Sequence, residues 1–191
     1  MGLFGAAAAH YFRVGILFIE NSSHNYFQNN INFIFFFCSL SIEAILISLI
    51  KKIVKVKEWH DTADTIFAAH RIDNELDVKT GVASTLVAFI SAGGGASVGQ
   101  YGPLVHFGAT LCALIKGKFK LPITTDVFLG GGVAAAISAG FNAPLAGIIF
   151  AHEAILRHFS LNAMAPIALA SGTAFAVHNF LWDASTPFIQ P

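Results

Sequence analysis

Charged residues are scarce in this sequence of 191 residues, of which only 12% are Asp, Glu, Lys or Arg. Soluble domains carry about twice that fraction, so the chain has too little polar surface to cover a soluble core. Its net charge of zero gives no reason to expect a nucleic acid or an acidic partner. The two cysteines, Cys38 and Cys112, lie in apolar stretches and are interpreted as small buried or lipid-facing residues rather than a disulfide. The scarcity of charge favours a lipid bilayer as the surroundings of the chain.

Hydrophobic residues make up 55% of the chain and are grouped into long stretches. A helix needs roughly 20 residues to cross the hydrocarbon core, and the second and last of these stretches have that length. The first is close to it and is favoured as a span over a signal peptide, because no basic region precedes it. The stretches are residues 3–19, 31–50, 82–92, 103–115, 127–151 and 161–182.

Lysine and arginine are distributed unevenly among the connections. They follow the second, fourth and fifth stretches, beginning at Lys51, Lys116 and Arg157, whereas residues 21–30 contain none. By the positive-inside rule the basic connections face the cytoplasm. The regions 82–115 and 127–151 each begin and end near these charges but are too short for two full spans. We therefore predict pairs of short helices that meet inside the membrane, where irregular backbone is tolerated only if it is buried or lines a cavity.

The residues at the two breaks fit the starts of helices. Pro103 and Pro144 each suit a first helical turn, where a missing N–H costs little, and Asn142 is a candidate N-cap. Free N–H groups and the positive dipole end of such a helix would favour an anion. The alternative is tight helix packing, because Gly95 and Gly99 match a small-xxx-small pattern. The residues alone leave both interpretations open.

Both breaks carry motifs that resemble those of the CLC family of chloride channels and chloride–proton exchangers. The segment GASVGQYGP, at residues 95–103, resembles the family's GxSxGREGP motif. The segments GGGVAAA at 130–136 and FNAPLAG at 141–147 resemble a second signature, and a looser similarity extends over nearly the whole chain. The resemblance implies an all-α membrane protein with broken and re-entrant helices, multi-pass and located in a bacterial-type plasma membrane.

The resemblance also implies what the complete protein contains. The family fold has two inverted-topology repeats and works as a homodimer with one pore per subunit. Residues 1–191 would supply most of the first repeat of this transmembrane domain, with the second repeat missing, so we expect a gene fragment or a truncated open reading frame. Chloride is the implied transported ion, and no cofactor, metal or enzymatic chemistry is implied.

Carried over residue by residue, the resemblance places the outer part of the anion site on the first motif. The family usually has a glutamate there that acts as gate and proton carrier, and the matching gate position is Tyr101. The predicted anion-binding residues of this motif are Gly99, Gln100, Tyr101, Gly102 and Pro103.

A third family element, GSGIP, is matched by residues 60–66 without its glycines. This placement puts Asp61 at the position of the serine that contacts the inner anion. A carboxylate there would repel chloride unless it is protonated or turned away. Thr62 could contribute a hydroxyl instead.

Two positions bear on the mode of transport. Proton-coupled members have a glutamate at the gate and a second glutamate at an internal position. That internal position follows Glu153 in this sequence and is occupied by Ala154. Tyrosine is neutral at pH 7 and alanine carries no proton, so the resemblance implies passive or uncoupled anion transport. One alternative is a proton-coupled exchanger that uses Glu153, and another is a degenerate scaffold that transports nothing.

The histidines indicate a function less clearly than the motifs do. His106, four residues after Gly102, is favoured as a satisfied buried histidine over a pH sensor. His152 and His158 are six residues apart, which puts them on different sides of a helix and argues against a zinc protease.

Overall fold

Helices make up most of the chain that the structure describes. The computed structural model describes residues 1–29, 33–71, 76–93, 96, 99, 101–118 and 123–182, without the side chains of residues 20–39. Within those ranges it contains α-helices, one π-helical turn and no strand, so the expectation of an all-α fold is confirmed. The elements are α1 (Gly2–Asn29), α2 (Phe33–Val54), α3 (Thr62–His70), α4 (Val78–Gly93), α5 (Tyr101–Lys118), α6 (Thr125–Phe141), α7 (Pro144–Phe150), the π-helical turn Ala151–Leu156 and α8 (Leu161–Trp182).

The predicted interruptions are present at both places. Helix α4 ends at Gly93 before α5 begins at Tyr101, and α6 ends at Phe141 before α7 begins at Pro144. Pro144 is the first residue of α7, where its missing N–H costs nothing that the helix would otherwise use. Each of the regions 82–115 and 127–151 therefore contains two helices with an interruption between them.

The role predicted for Asn142 is wrong. This residue is the C-cap of α6 in the left-handed conformation, with φ 56° and ψ 35°, and Ala143 is the N-cap of α7. Asparagine tolerates this conformation better than most residues, which suits it to ending a helix. Asn142 therefore serves the end of one helix instead of the start of the next.

Helix α3 lies in a region that the sequence analysis treats as a polar connection. The Asp61 carboxylate accepts hydrogen bonds from the amides of Ala63 and Asp64, at 2.6 and 3.4 Å. In return the Asp64 carboxylate accepts from the Asp61 amide at 2.8 Å, which completes a capping box. This reciprocal pairing satisfies N–H groups that the first turn leaves unpaired, and so starts a helix of only nine residues.

Helix α6 is the centre of the fold. All of its residues from Val127 to Gly140 are buried, and it packs against α1, α5, α7 and α8. A helix that is apolar on every side belongs in such a position. The predicted buried or lipid-facing Cys112 is buried with a free thiol, whereas the side chain of Cys38 lies outside the part of the chain that the structure describes.

Helices α5 and α6 approach each other closely at a pair of glycines. A Cβ atom added to Gly108 would lie 2.6 Å from the Gly132 carbonyl oxygen, and one added to Gly132 would lie 2.4 Å from the Gly108 oxygen. Only glycine fits at these positions, because real Cβ atoms essentially never come within 3.0 Å of another heavy atom. The backbones of α5 and α6 are therefore in direct contact.

Helices α1 and α8 run in the same direction. Gly2 lies against Thr173, and eight residues later the His10 ring stacks on Trp182 with centroids 4.2 Å apart. Among the described residues, Gly2–Ile19 of α1 and the whole of α8 are long and apolar enough to cross a membrane. Both were predicted as spans.

Candidate anion site

Three helices begin beside one cavity of about 460 Å³. Thr62 is the first residue of α3, Tyr101 and Gly102 are the first two of α5, and Ala143 is the N-cap of α7. The first N–H groups of a helix lack partners within it and form the positive end of its dipole. The positive ends of these helix dipoles therefore lie beside the cavity. Its other lining residues are apolar: Val105, Ile137, Phe141, Ala146 and Phe150.

Thr62 and Gly102 join the starts of α3 and α5, although they are 40 residues apart in the chain. The Thr62 hydroxyl donates a hydrogen bond to the Gly102 carbonyl oxygen at 3.2 Å. The hydroxyl proton is thus engaged in the hydrogen bond between α3 and α5, and the hydroxyl oxygen remains at the cavity wall. Direct contact of this hydroxyl with an anion stays a prediction.

The carboxylate of Asp61 is turned towards its own helix. It accepts from the Ala63 and Asp64 amides, so it occupies the position at which a free anion would bind these N–H groups. A carboxylate at this position was expected to be either protonated or turned away from the anion. The Asp61 carboxylate is turned away. Asp61 therefore neutralises the start of α3 and leaves α5 as the stronger positive end.

Tyr101 is held against the wall of the cavity. Its ring stacks on Phe141 with centroids 3.9 Å apart and an angle of 25° between the planes. A Cβ atom on Gly140 would lie 3.7 Å from the Tyr101 ring and 2.9 Å from the Leu104 side chain, so the bare glycine lets both pack closely on α6. The residue at the predicted gate position thus lines the cavity without filling it.

The open space at this site lies in front of Gly102. A Cβ atom there would meet no heavy atom of the described residues within 4 Å. Gly99 has a φ of +68°, a conformation that other residues adopt only with strain. Pro103 lies in the first turn of α5. The predicted site residue Gln100 lies outside the described residues.

Helix α8 secures the start of α7 through hydroxyl and amide groups. The buried Ser171 hydroxyl donates to the Pro144 carbonyl at 2.7 Å, and the Ser138 hydroxyl donates to the Ser171 carbonyl at 2.8 Å. The Asn179 amide donates to the Asn142 side-chain oxygen at 2.7 Å. These roles of Ser171 and Asn179 were not predicted, although a polar residue within an apolar helix was the available signal.

The two predicted proton-route positions lie on the π-helical turn that continues α7. Glu153 is exposed and Ala154 is half-buried. They follow Phe150, which lines the cavity, by three and four residues. A π-helical turn is often found at functional sites, but no described group here supplies an acid inside the cavity.

The family whose model matches is described as voltage gated chloride channel, and the match covers residues 42–190. This is more than three quarters of the chain. The chain belongs to the CLC family. All of the cavity-lining residues of this CLC chain, from Thr62 to Phe150, fall within the matched range.

Curated CLC proteins from bacteria and a plant are similar to parts of the chain. A protein of Yersinia pseudotuberculosis named voltage-gated ClC-type chloride channel ClcB is 25% identical over 118 residues, which is 62% of this chain and 28% of that protein. The chloride channel protein CLC-e of Arabidopsis thaliana is 42% identical over 73 residues, 38% of this chain and 10% of that protein. The H(+)/Cl(-) exchange transporter ClcA of Klebsiella pneumoniae is 34% identical over 82 residues, 42% and 17% respectively.

The matched part of the chain therefore spans between a tenth and about three tenths of the length of these relatives. Their names include both channels and an exchanger. Membership of the family is thus shown, and the mode of transport is a separate question.

Proposed function

We propose that the protein passes small anions, chloride foremost, across a membrane, and that an anion binds at the start of α5. The observation that carries this proposal is the convergence of the starts of α3, α5 and α7 on one cavity. Backbone N–H groups and positive dipole ends compensate an anion for lost water. They also exclude cations, which meet the same dipoles with the unfavourable sign.

Within the cavity, the surface before Gly102 is where an anion can approach the α5 backbone. The absence of a side chain leaves this space open, and Asp61 keeps its negative charge on the amides of α3. The apolar lining limits competing water, which strengthens the interaction of the anion with the helix dipole. The working form in this proposal is a homodimer within a lipid bilayer, as the family resemblance implies.

Transport in this proposal is passive or uncoupled. The predicted gate position carries the phenol of Tyr101, and the internal position carries Ala154. Neither side chain delivers a proton to a bound anion at neutral pH. The exposed position of Glu153 on the π-helical turn supports this mode, since it does not place a carboxylate in the cavity.

The test is chloride efflux from liposomes that hold the full-length protein, with the external pH recorded at the same time. We expect chloride to leave without stoichiometric proton movement. The variant Gly102→Leu places a side chain in the open space before the α5 amides and is expected to reduce the flux at least about tenfold. Gly117→Leu, on the same helix and also free of described neighbours within 4 Å, is the matched control and retains the flux.

Other outcomes would replace the proposal. Protons driven by a chloride gradient would show an exchanger, and Glu153→Gln would then be the variant that tests its acid. No flux from folded protein, in liposomes where an active relative transports chloride, would favour a scaffold without a pore. Equal flux in the Gly102→Leu and Gly117→Leu variants would remove the anion from the start of α5.

A further inference from the structure

Arg13 differs from the other basic residues of the chain in the side of the membrane on which it lies. Of the eleven lysines and arginines, the other ten lie in or beside the connections that the positive-inside rule assigns to the cytoplasm. Helix α8 begins at Leu161, four residues after Arg157 in one of these connections, and therefore runs outwards. Helix α1 runs in the same direction, so Arg13 lies towards the outer surface. An arginine within an apolar stretch is costly unless an opposite charge compensates its own.

The outer end of α8 packs against the same part of α1. The His10 ring stacks on that of Trp182, the last residue of α8, with centroids 4.2 Å apart and planes at 13°. The centroid of the His178 ring lies 5.9 Å from the centroids of both of these rings. Arg13 follows His10 by three residues, about 4.5 Å along α1, and so lies at the level where α8 ends. Tryptophan at a helix end, with the exposed Tyr11 beside it, is typical of the lipid headgroup level.

Arg13 brings a permanent positive charge to the two imidazoles. Its guanidinium is close enough for its charge to act on both His10 and His178. Among the described residues, no carboxylate has such an effect on either ring. Arginine keeps its proton when it is partly buried, and Arg13 is half-buried. The described groups at this end of α1 and α8 therefore favour an anion.

The burial of His178 indicates which of its nitrogens is a donor. The residue is only 5% exposed, and its Nδ1 is buried without a hydrogen-bond partner in the part of the chain that the structure describes. A neutral imidazole has one N–H, and buried N–H groups without an acceptor are rarer in proteins than buried acceptors without a donor. The proton is therefore expected on Nε2, which makes this atom the donor of the ring.

We propose that Arg13, His10 and His178 bind a phosphate group at the outer end of α1 and α8. A guanidinium donates through a planar fork that fits two oxygens of one phosphate, and an imidazole N–H donates to a further oxygen. The charge of the phosphate then compensates that of Arg13. This site goes beyond the proposed function and does not depend on anion binding at the start of α5.

Two sources supply a phosphate group at the outer surface. The phosphodiester of an outer-leaflet lipid lies at the headgroup level, where Tyr11 and Trp182 also belong, and inorganic phosphate reaches the same level from solution. A carboxylate of the protein itself is the competing partner of Arg13. The candidates are Glu20 and Asp183, whose side chains lie outside the described part of the chain.

The experiment measures lipid binding to the full-length protein in detergent by native mass spectrometry. The probes are dioleoylphosphatidylglycerol and dioleoylglycerol, which has the same acyl chains without the phosphate. We expect the wild type to bind the phospholipid at least about tenfold more tightly, because charge-assisted hydrogen bonds form only with the phosphate. Calorimetry with sodium phosphate, and separately with sodium chloride, tests the free ions.

Four variants test whether these residues hold the phosphate. Arg13→Gln is expected to reduce the preference for the phospholipid about tenfold, and Arg13→Lys to reduce it less, since lysine keeps the charge but not the fork. His10→Phe keeps an aromatic ring against Trp182 but has no N–H, and is expected to reduce the preference several-fold. Lys118→Gln, in the last turn of α5, is the control and keeps the wild-type preference. If Arg13→Gln does not fold, Arg13→Lys and His10→Phe carry the test.

The source of the phosphate follows from the two kinds of probe. A preference for the phospholipid without binding of inorganic phosphate assigns the site to a lipid. Binding of inorganic phosphate that Arg13→Gln abolishes assigns it to the soluble ion. Equal binding of the two lipids without binding of inorganic phosphate would overturn the proposal, and so would a preference that survives in both Arg13→Gln and His10→Phe.

Two further outcomes would replace the phosphate by another anion. If Glu20→Gln or Asp183→Asn binds the phospholipid more tightly than the wild type, that carboxylate pairs with Arg13 and the proposal is wrong. Chloride binding that Arg13→Gln abolishes, without any binding of phosphate, would make this a chloride site instead. None of these outcomes bears on the start of α5, which the chloride flux of Gly102→Leu tests separately.

Discussion

The Tyr101 ring stacks on the Phe141 ring, with centroids 3.9 Å apart. Such pairs contribute about 0.5–1.5 kcal/mol beyond their burial, enough to favour one position of the tyrosine strongly. In that position the phenol forms part of the cavity wall. The stack therefore holds the Tyr101 ring at the wall of the cavity.

Replacing Tyr101 by glutamate is expected to make anion flux depend on pH. A carboxylate at the start of α5 is attracted to the same N–H groups as chloride and competes with it. We expect the flux of Tyr101→Glu at pH 7.5 to fall about tenfold or more, and to recover as the pH falls through the range in which the new carboxyl is protonated. Chloride efflux from liposomes between about pH 4.5 and pH 7.5 measures this.

The matched control is Tyr101→Phe, which keeps the aromatic ring and its stack on Phe141. Its flux is expected to remain within about twofold of the wild type. If Tyr101→Glu conducts like Tyr101→Phe at every pH, the side chain at this position does not reach the anion.

The cap of α3 and the charge of Asp61 can be separated by two substitutions. Asp61→Ser retains a good N-cap but removes the negative charge, whereas Asp61→Ala removes both. We expect Asp61→Ser to unfold at nearly the wild-type temperature and to bind chloride several-fold more tightly, because no carboxylate then neutralises the α3 dipole. Asp61→Ala is expected to lose about 0.5–2 kcal/mol of stability.

Thermal unfolding and chloride calorimetry on the same preparations measure both effects. Chloride affinity that is unchanged in both variants would show that the start of α3 does not contribute to anion binding.

Much of the fold was predictable because its signals are local. The interruption before α7 follows from Pro144, and the one before α5 from a glycine run that ends at Pro103. Residues 161–182 form one helix with the predicted bounds. Backbone restrictions of proline and glycine act on their immediate neighbours, so a sequence reveals them directly.

The details of the site were not predictable in the same way. The Tyr101–Phe141 stack joins residues 40 positions apart and depends on the absence of a side chain at Gly140. Asn142 was assigned to the wrong helix end, because its residue type suits both an N-cap and a left-handed C-cap. His106 is buried as predicted, but its Nε2 has no partner among the described residues, which depends on what α4 leaves open beside it. Each of these needs the relative positions of at least two helices.

The glycine contact between α5 and α6 is expected to tolerate no added methyl group. In Gly108→Ala the new Cβ would lie 2.6 Å from the Gly132 carbonyl oxygen, and overpacking of this kind costs about 1–3 kcal/mol. Gly117→Ala, on the same helix, meets no described atom within 4 Å and gains helix propensity of up to about 1 kcal/mol. The unfolding temperature is therefore expected to fall in the first variant and to stay or rise in the second. Equal changes of the unfolding temperature in the two variants would mean that α5 and α6 can move apart to accept the added methyl group.

The start of α4 is expected to lose stability in acid. The Thr80 hydroxyl, together with the amides of Thr80 and Lys79 and the charge of His60, lowers the pKa of Asp77. Stabilisation by this carboxylate is complete above the ordinary aspartate pKa of about 3.9 and disappears as the pH falls through the lower pKa of the folded protein.

Thr80→Val removes the hydroxyl and is expected to lower stability at pH 7 by less than about 1 kcal/mol, since Asp77 is exposed. The difference in stability between Thr80→Val and the wild type is expected to become smaller below about pH 3.5. Thr80→Ser keeps the hydroxyl and is expected to keep the wild-type dependence of stability on pH. Denaturation at a series of pH values measures this. If the stability difference between Thr80→Val and the wild type is the same at every pH, the loss of stability comes from packing and not from the hydrogen bond to Asp77.

The close packing of Gly108 against Gly132 also bears on how fast the proposed gate at Tyr101 would act. Two helices whose backbones touch cannot slide past each other without breaking that contact, so we expect α5 and α6 to move as one body. In the proposed transport, a gate at Tyr101 would then act by rotation of its aromatic ring while α5 and α6 stay together. Side-chain rotations of this kind are fast, in the nanosecond range for exposed groups, compared with microseconds to milliseconds for collective helix motions. In a single-channel record, such a gate would average into a reduced current amplitude instead of resolved closures.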